Sequence, residues 1–399
     1  MSILSESLSR IKPSPTMAVV KKATELKSAG KDIISLGAGE PDFDTPENIK
    51  QAAIQAIKDG RTKYTVVDGT IELKRAVIGK FKRENNLIYN EKQVSVGVGG
   101  KHVIFNAILA TINPGDEVLI PAPYWVSYPD IVLLAGGTPV IVECEESADF
   151  KILPEQIEKN VNKNTKWIIL NSPSNPTGSV YSEQELKAIG EVLKKFPNVY
   201  IMSDDIYEHI LYTKNNFFTI AQIPELFSRT LTINGLSKSY AMTGWRVGYA
   251  GGPENIIQGI AKIQSQSTTN TSSISQAAAE EALNGTQDFI KIRSDAFKER
   301  RDFVVKKLNS IKGLSCKNPE GAFYVFPSCK DCIGKKDVNK KEIINDTDFV
   351  TSLLENTGVA VVQGSAFGKE GYFRISYATS LKNLSKALDK IEEYCKQLS

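Results

Sequence analysis

Thr232-Ile233-Asn234-Gly235-Leu236-Ser237-Lys238-Ser239-Tyr240-Ala241-Met242-Thr243-Gly244-Trp245-Arg246-Val247-Gly248-Tyr249-Ala250 sets one lysine behind an apolar, strand-like run and one arginine at the start of a second apolar run. Leu236, Tyr240, Met242 and Trp245 flank Lys238. A lysine partly desolvated by such neighbours has a lowered pKa and can act as a Schiff-base nucleophile. The rigid fork of Arg246 suits a phosphate monoester. By itself the pair also fits a solvated loop lysine and a surface arginine. A partner for a pyridine ring and receptors for carboxylates, supplied elsewhere in the chain, would decide between them.

Outward from this stretch, apolar runs and amphipathic segments alternate. Strands are predicted over 93–98, 117–120, 138–142, 166–171 and 199–203, with helices over 101–112, 125–134, 154–160 and 182–195. A β-then-α alternation predicts a mostly parallel sheet covered on both faces, with ligands at the strand C-terminal ends. At the N-terminus, prolines make 9–16 an extended arm. A helix over 17–29, a short strand over 32–36 and a helix over 48–58 follow. The small-residue loop at Gly37-Ala38-Gly39 lets backbone approach a ligand, or merely crosses between domains. Past Gly252 come helices over 254–265, 274–283 and 287 to about 308, then short strands over 322–326, 359–362 and 372–376 among helices over 347–356 and 381–397. The expectation is an α/β protein: a large domain over 45–308 with helices on both faces of a mostly parallel sheet, and a smaller α+β domain over 309–399. Residues 1–44 form an arm and part of the small domain, and the long helix ending near 308 is the connector.

Composition narrows the function. With 399 residues, 41% hydrophobic and 24% charged, the chain has the ordinary globular mix, which excludes disordered and fibrous classes. A net charge of +3 without a basic block does not imply nucleic acid as a partner. The start, Met1 to Ser7, lacks a leader pattern, and no run approaches the roughly 18 apolar residues of a membrane span, so a cytoplasmic protein is expected. Five cysteines, one lone CxxC (Cys329 and Cys332) and two histidines argue against a disulfide framework and against a metal site.

Several strand ends carry chemistry. Gly97-Val98-Gly99-Gly100-Lys101-His102 closes neither a dinucleotide nor a P-loop motif, which leaves a helix-start turn whose free amides favour an anion. Pro173 and Pro176 stiffen the loop that holds Asn175, which also reads as a structural Asx turn. A strand-end carboxylate in Asp204-Asp205-Ile206-Tyr207 needs a cationic or protonated partner, and Tyr207 can bond a phenolic oxygen. Trp125 follows another strand, with core packing as its alternative.

Taken in order, Trp125, Asn175-Pro176-Thr177-Gly178, Asp204 with Tyr207, Lys238, Arg246 and the late Arg374 resemble the class I aminotransferases of pyridoxal-phosphate fold type I. The likeness covers essentially the whole chain. Gly37-Ala38-Gly39-Glu40-Pro41-Asp42-Phe43 and Ala122-Pro123-Tyr124-Trp125-Val126-Ser127-Tyr128-Pro129 resemble the bacterial aspartate aminotransferases, some of which also accept prephenate. That resemblance implies pyridoxal 5′-phosphate as cofactor and a homodimer with active sites at the subunit interface. Lys238 would carry the cofactor aldehyde and shuttle the substrate proton. Neighbours on a strand face opposite ways, so only one of Asp204 and Asp205 can point at the ring, and by the resemblance it is Asp204 that would keep the ring nitrogen protonated. Tyr207 and Asn175 would bond the phenolic oxygen, and Trp125 would stack on the ring. Ser237, Arg246 and the amides around Gly99, Gly100 and Lys101 would hold the phosphate, with Tyr64 reaching it from a neighbouring subunit. Gly39, Trp125, Asn175 and Arg374 would contact the substrate, Arg374 by a bidentate pair to the α-carboxylate.

The expected reaction is reversible amino transfer between L-aspartate and 2-oxoglutarate, giving oxaloacetate and L-glutamate, extended to prephenate by likeness to its users. An aromatic or alanine-type aminotransferase or a lyase on the same fold is the alternative. A cofactor-binding regulator lacks room for a DNA-binding domain, and the failed glycine motif disfavours a nicotinamide enzyme. The region over 263–276, where the better-known branch of the family takes a distal-carboxylate arginine from the partner subunit, contains no basic residue. Lys101, and second Lys12 on the arm, are the expected substitutes.

Overall fold

The computed structural model describes residues 3–13 and 15–399. Among them, seven strands form one sheet in the order Val94–Gly97, Gly248–Gly251, Thr230–Gly235, Tyr200–Asp204, Thr165–Asn171, Glu117–Ala122, Thr138–Glu143. All neighbours pair in parallel except Gly248–Gly251, which runs against both of its partners. The mostly parallel sheet expected from the alternation is therefore present, with one reversed strand. Its central members are apolar without interruption, as in Trp167-Ile168-Ile169-Leu170, because helices cover both faces. Ile104, Ala107 and Ile260 pack on one face, and Leu186, Ile189 and Leu193 on the other.

The reversed strand has a consequence for the stretch that began the reading. Strand Thr230–Gly235 runs out at the sheet's C-terminal edge and Gly248–Gly251 returns from that edge, with Gly235 paired to Gly248. Residues 236–247 are thereby held at the edge where parallel sheets bind ligands.

Local signals set most boundaries. Helix Glu183–Lys194 starts at Ser182, whose hydroxyl accepts from the Glu185 amide while Glu185 reaches back, a capping box. Helix Ile71–Asn85, which the sequence reading did not name, is capped by Thr70 and stopped by Asn86 in the left-handed region at φ 53. The arm expected to be extended over 9–16 is helical at both ends: Glu6–Arg10 is a 3-10 helix, residues 11–13 have no regular structure, and a helix begins at Pro15; Met1, Ser2 and Ser14 lie outside the described residues.

A second, antiparallel sheet of Val362–Gln363, Phe373–Ser376 and Tyr324–Val325 stands over the C-terminal edge of the first. Ile34–Ser35 pairs with Val359–Ala360. One core joins Leu36, Phe297 and Leu308 of the long helix Asp288–Leu308, Phe323, and Leu388 of helix Leu381–Lys396. Tyr207 and Ile210 also belong to that core, so the loop after strand Tyr200–Asp204 packs against the second sheet's unit. All five cysteines are buried free thiols.

Candidate active site

A cavity of about 280 Å³ lies where the two sheets meet. Lys238 rises into it from the turn after strand Thr230–Gly235, and its Nζ donates to the Gly39 carbonyl at 2.7 Å. Burial, with the Arg374 charge behind it, brings the amine down to about 8. Asp204 ends strand Tyr200–Asp204 and lines the cavity. Burial pushes it up to about 6, against hydrogen bonds from the Tyr128 hydroxyl at 2.5 Å and the Ile206 amide. Asp205 faces away, accepting from Ser203 Oγ at 2.7 Å, and burial pushes it up to about 7. Strand alternation thus sends only the first of the pair to the cavity.

At one end, Ser237, Arg246, Gly100 and Lys101 converge. The first amides of helix Gly100–Thr111 have no partner within the helix, which makes this end an anion cradle. Glycines allow the approach. A Cβ on Gly248 would lie 2.2 Å from the Gly100 nitrogen, and one on Gly99, at φ 86, 2.5 Å from the Arg246 guanidinium. Gly99 therefore stands behind Arg246 and does not line the cavity. Arg246 itself takes φ 56, with Nη1 donating to the Thr243 carbonyl at 2.9 Å. Lys101 has its Nζ 4.9 Å from the centroid of the Trp125 ring. Burial and then the Arg246 charge lower its pKa, and among the described residues it has no carboxylate partner.

At the other end Arg374, 2% exposed on strand Phe373–Ser376, donates to Asn175 Oδ1 at 2.8 Å and to the Gly37 carbonyl at 2.6 Å. Its Nε is buried without a partner, and no carboxylate neutralises it among the described residues. An unpaired buried cation is costly and marks a place where an anion belongs. Asn175 is held by its amide on Asn171 Oδ1 at 2.8 Å.

The structure therefore gathers Gly39, Gly100, Lys101, Trp125, Asn175, Asp204, Tyr207, Ser237, Lys238, Arg246 and Arg374 around one space. Besides Gly99, two expected residues are not brought there within the chain. Tyr64 is 90% exposed on its loop, and Lys12 is exposed on the arm, where its amide donates to Asp130. Among the cavity residues that the sequence reading did not single out are Tyr128, Asn171 and Tyr324. Tyr128 was within reach as a signal, since it follows Trp125 by less than one helical turn.

The family model described as aminotransferase class I and II matches residues 31–391. The chain belongs to this family. It is 58% identical to the aspartate/prephenate aminotransferase of Cereibacter sphaeroides across the full length of both chains. Among solved structures, the aspartate aminotransferase of Rhizobium meliloti superposes with a TM-score of 0.97 at 51% identity, each chain covered entirely. The aspartate aminotransferase of Thermus thermophilus with maleate gives 0.93 at 41%, covering 99% of this chain and 100% of that one. The mostly parallel sheet with its smaller companion is thus the fold-type-I architecture of the aminotransferases, as expected.

Proposed function

We propose that this aminotransferase uses pyridoxal 5′-phosphate to move an amino group between L-aspartate and 2-oxoglutarate, with prephenate as a further amino acceptor. The observation that carries the reading is one cavity holding an amine of lowered pKa, a buried carboxylate and an unpaired buried arginine. The donor set fits the cofactor. Arg246, Ser237 and the Gly100 and Lys101 amides would hold its phosphate, Asp204 its ring nitrogen, Tyr207 and Asn175 its phenolic oxygen, and Trp125 its ring face. When bound, the cofactor supplies an electron sink for the bond broken at the substrate Cα. The chain's own work is positioning and proton transfer. Lys238, near 8, can both take and return a proton around neutral pH. Asp204, fixed by Tyr128, would hold positive charge at the ring nitrogen. Arg374 orients the substrate by its α-carboxylate, with the Asn175 and Gly37 bonds fixing the plane of the guanidinium.

Prephenate is included because the relative from Cereibacter sphaeroides is named for both substrates. By the family's habit the protein works as a cytoplasmic homodimer, with Tyr64 supplied across the interface. Among the described residues no helix is long and apolar enough to cross a membrane.

The test is spectroscopic and then chemical. Purified protein loaded with pyridoxal phosphate should show a visible band that L-aspartate bleaches and 2-oxoglutarate restores, with oxaloacetate formed in proportion. A stable band that aspartate leaves untouched, or decay of aspartate without a 2-oxo acid acceptor, would rule the reading out.

A further inference from the structure

Tyr324 sits at the join of the three groups on which the proposed function depends. It is fully buried on strand Tyr324–Val325. Its ring lies under the Arg374 guanidinium, 4.6 Å from centroid to Cζ. Its hydroxyl is 2.8 Å from the Tyr207 hydroxyl. On its far side the same hydroxyl meets Gly39, where a Cβ would come within 2.6 Å, and the Gly39 carbonyl is the acceptor for Lys238.

Two phenols that share one hydrogen bond have two possible arrangements. If Tyr207 donated, the Tyr324 proton would be the one left over, beside Gly39, and Tyr207 would have none to offer a ligand in the cavity. If Tyr324 donates, the Tyr207 proton is left over and points into the cavity, where a ligand oxygen can take it. Charge favours the second arrangement. Burial raises both phenols, Tyr207 well above its ordinary value, while the Arg374 cation 4.6 Å from the Tyr324 ring opposes the rise there, so Tyr324 is the more acidic hydroxyl and the better donor.

We propose that Tyr324 is a positioning residue of this site: its ring seats the Arg374 guanidinium, and its hydroxyl donates to Tyr207 so that the Tyr207 proton is aimed at the cofactor's phenolic oxygen. This rests on the proposed cofactor. A hydroxyl that accepts one hydrogen bond becomes a stronger donor of its own, by roughly 10 to 30% per bond. Tyr324 therefore tunes the ionisation of the bound cofactor through Tyr207.

The experiment uses the cofactor-loaded protein and two readouts: the pH midpoint of the visible band, and the dissociation constant for maleate, a dicarboxylate that does not react. Tyr324→Phe keeps the ring and removes the donor. The midpoint should rise by about 0.3 of a pH unit, because the ionised phenolic oxygen loses part of its stabilisation, with maleate binding within about twofold of the parent. Tyr324→Leu removes the ring as well, and maleate should bind about 5-fold more weakly. In the Tyr207→Phe background, Tyr324→Phe should leave the midpoint where Tyr207→Phe alone puts it, because the effect passes through Tyr207. A midpoint unmoved in Tyr324→Phe, or moved equally with and without Tyr207, overturns the proposal. Absence of any visible band overturns the cofactor reading beneath it, whereas a normal band indifferent to Tyr324 overturns only this one.

Discussion

Tyr207 and Glu208 are neighbours in the chain and belong to two different kinds of buried charge cluster. Tyr207 faces the cavity, where among the described residues Arg374 has no carboxylate, Lys238 donates to a carbonyl and Asp204 accepts from a phenol and an amide. Glu208 faces the other way, into a cluster in which every charge is answered. The Lys80 ammonium, fully buried, bonds Glu208 and Asn85 Oδ1, the latter at 2.7 Å. Glu208 also accepts from Asn85 Nδ2 at 2.7 Å and Asn234 Nδ2 at 2.9 Å, and Glu84 meets His209 Nε2 at 2.8 Å. Glu84, Glu208 and His209 stand close enough to hold a metal ion, but the Lys80 ammonium already supplies the cation. Buried charges left unmatched mark where a ligand completes the structure, whereas matched ones fix the fold. The two clusters should therefore fail in different ways when broken.

The largest effect belongs to the cavity. Lys238→Ala should lower kcat by about 10⁴-fold, with thermal unfolding of the cofactor-free protein unchanged or raised, because an incompletely paired buried cation is removed. Steady-state kinetics and a melting curve check this together, and retained turnover would end the comparison.

Across the strand the pattern inverts. Lys80→Met leaves Glu208 buried and unanswered, at a cost of about 3 to 5 kcal/mol of folding stability, while kcat per folded molecule stays within about twofold. Urea unfolding combined with active-site titration separates the two quantities. A kcat loss that matched the stability loss would mean that the network also serves the chemistry.

Asp204→Asn and Asp205→Asn separate the member of one dipeptide that faces the cavity from the member that is turned away from it. The first should lower kcat by about 10²- to 10³-fold and the second by less than about twofold, since Asp205 faces Ser203. Asp205 and Glu84, both off the cavity, respond to pH in opposite senses. Asp205, raised to about 7, keeps a proton in the folded protein that the unfolded chain releases near 4. Its contribution to stability is therefore present below pH 4 and is lost as pH rises toward 7. Burial would raise Glu84 too, but the His209 hydrogen bond and the Lys80 charge hold it at about 2. Its contribution is present above about 4.5 and is lost as pH falls toward 2. Unfolding measured from pH 3 to 8 should lose its acid-side slope in Glu84→Gln and its neutral-side slope in Asp205→Asn. Slopes of one sign in both would contradict the contrast.

These clusters also show which features were legible in the sequence. The βα alternation and the ordered site residues were, because each strand-end motif is local: Lys238 beside Ser237, and Asp204 three residues before Tyr207. Helix Ile71–Asn85 was not, because Lys74 and Lys80 lie buried on what would otherwise read as its apolar face, and Gly79 interrupts it. Tyr128 and Tyr324 were missed for a different reason. Each takes its role from a partner far along the chain, Asp204 and Tyr207 respectively, and only folding makes that pairing visible.

A smaller effect than at Lys238 or Asp204 is expected at an exposed cavity charge. Lys101 leaves its ammonium over the Trp125 face, beside Arg246 and at the start of a helix, where the dipole disfavours a cation unless an anion is bound. Its lowered pKa expresses the same discomfort, through burial first and the Arg246 charge second. A distal substrate carboxylate would relieve both, and the region over 263–276 offers no basic residue to compete for it. One charge-assisted contact is worth roughly 1.5 to 3 kcal/mol, or about 10- to 100-fold in kcat/KM. Lys101→Ala should therefore weaken aspartate by that factor and leave alanine nearly unchanged. Lys12 does not line the cavity within the chain, and its amide is engaged by Asp130. Lys12→Ala should accordingly spare aspartate within about threefold and cost prephenate more, by up to about 10-fold if the arm reaches the bulkier dicarboxylate. Equal losses for alanine and aspartate in Lys101→Ala would show that this lysine serves the phosphate end alone, leaving the distal carboxylate to a group from the partner subunit.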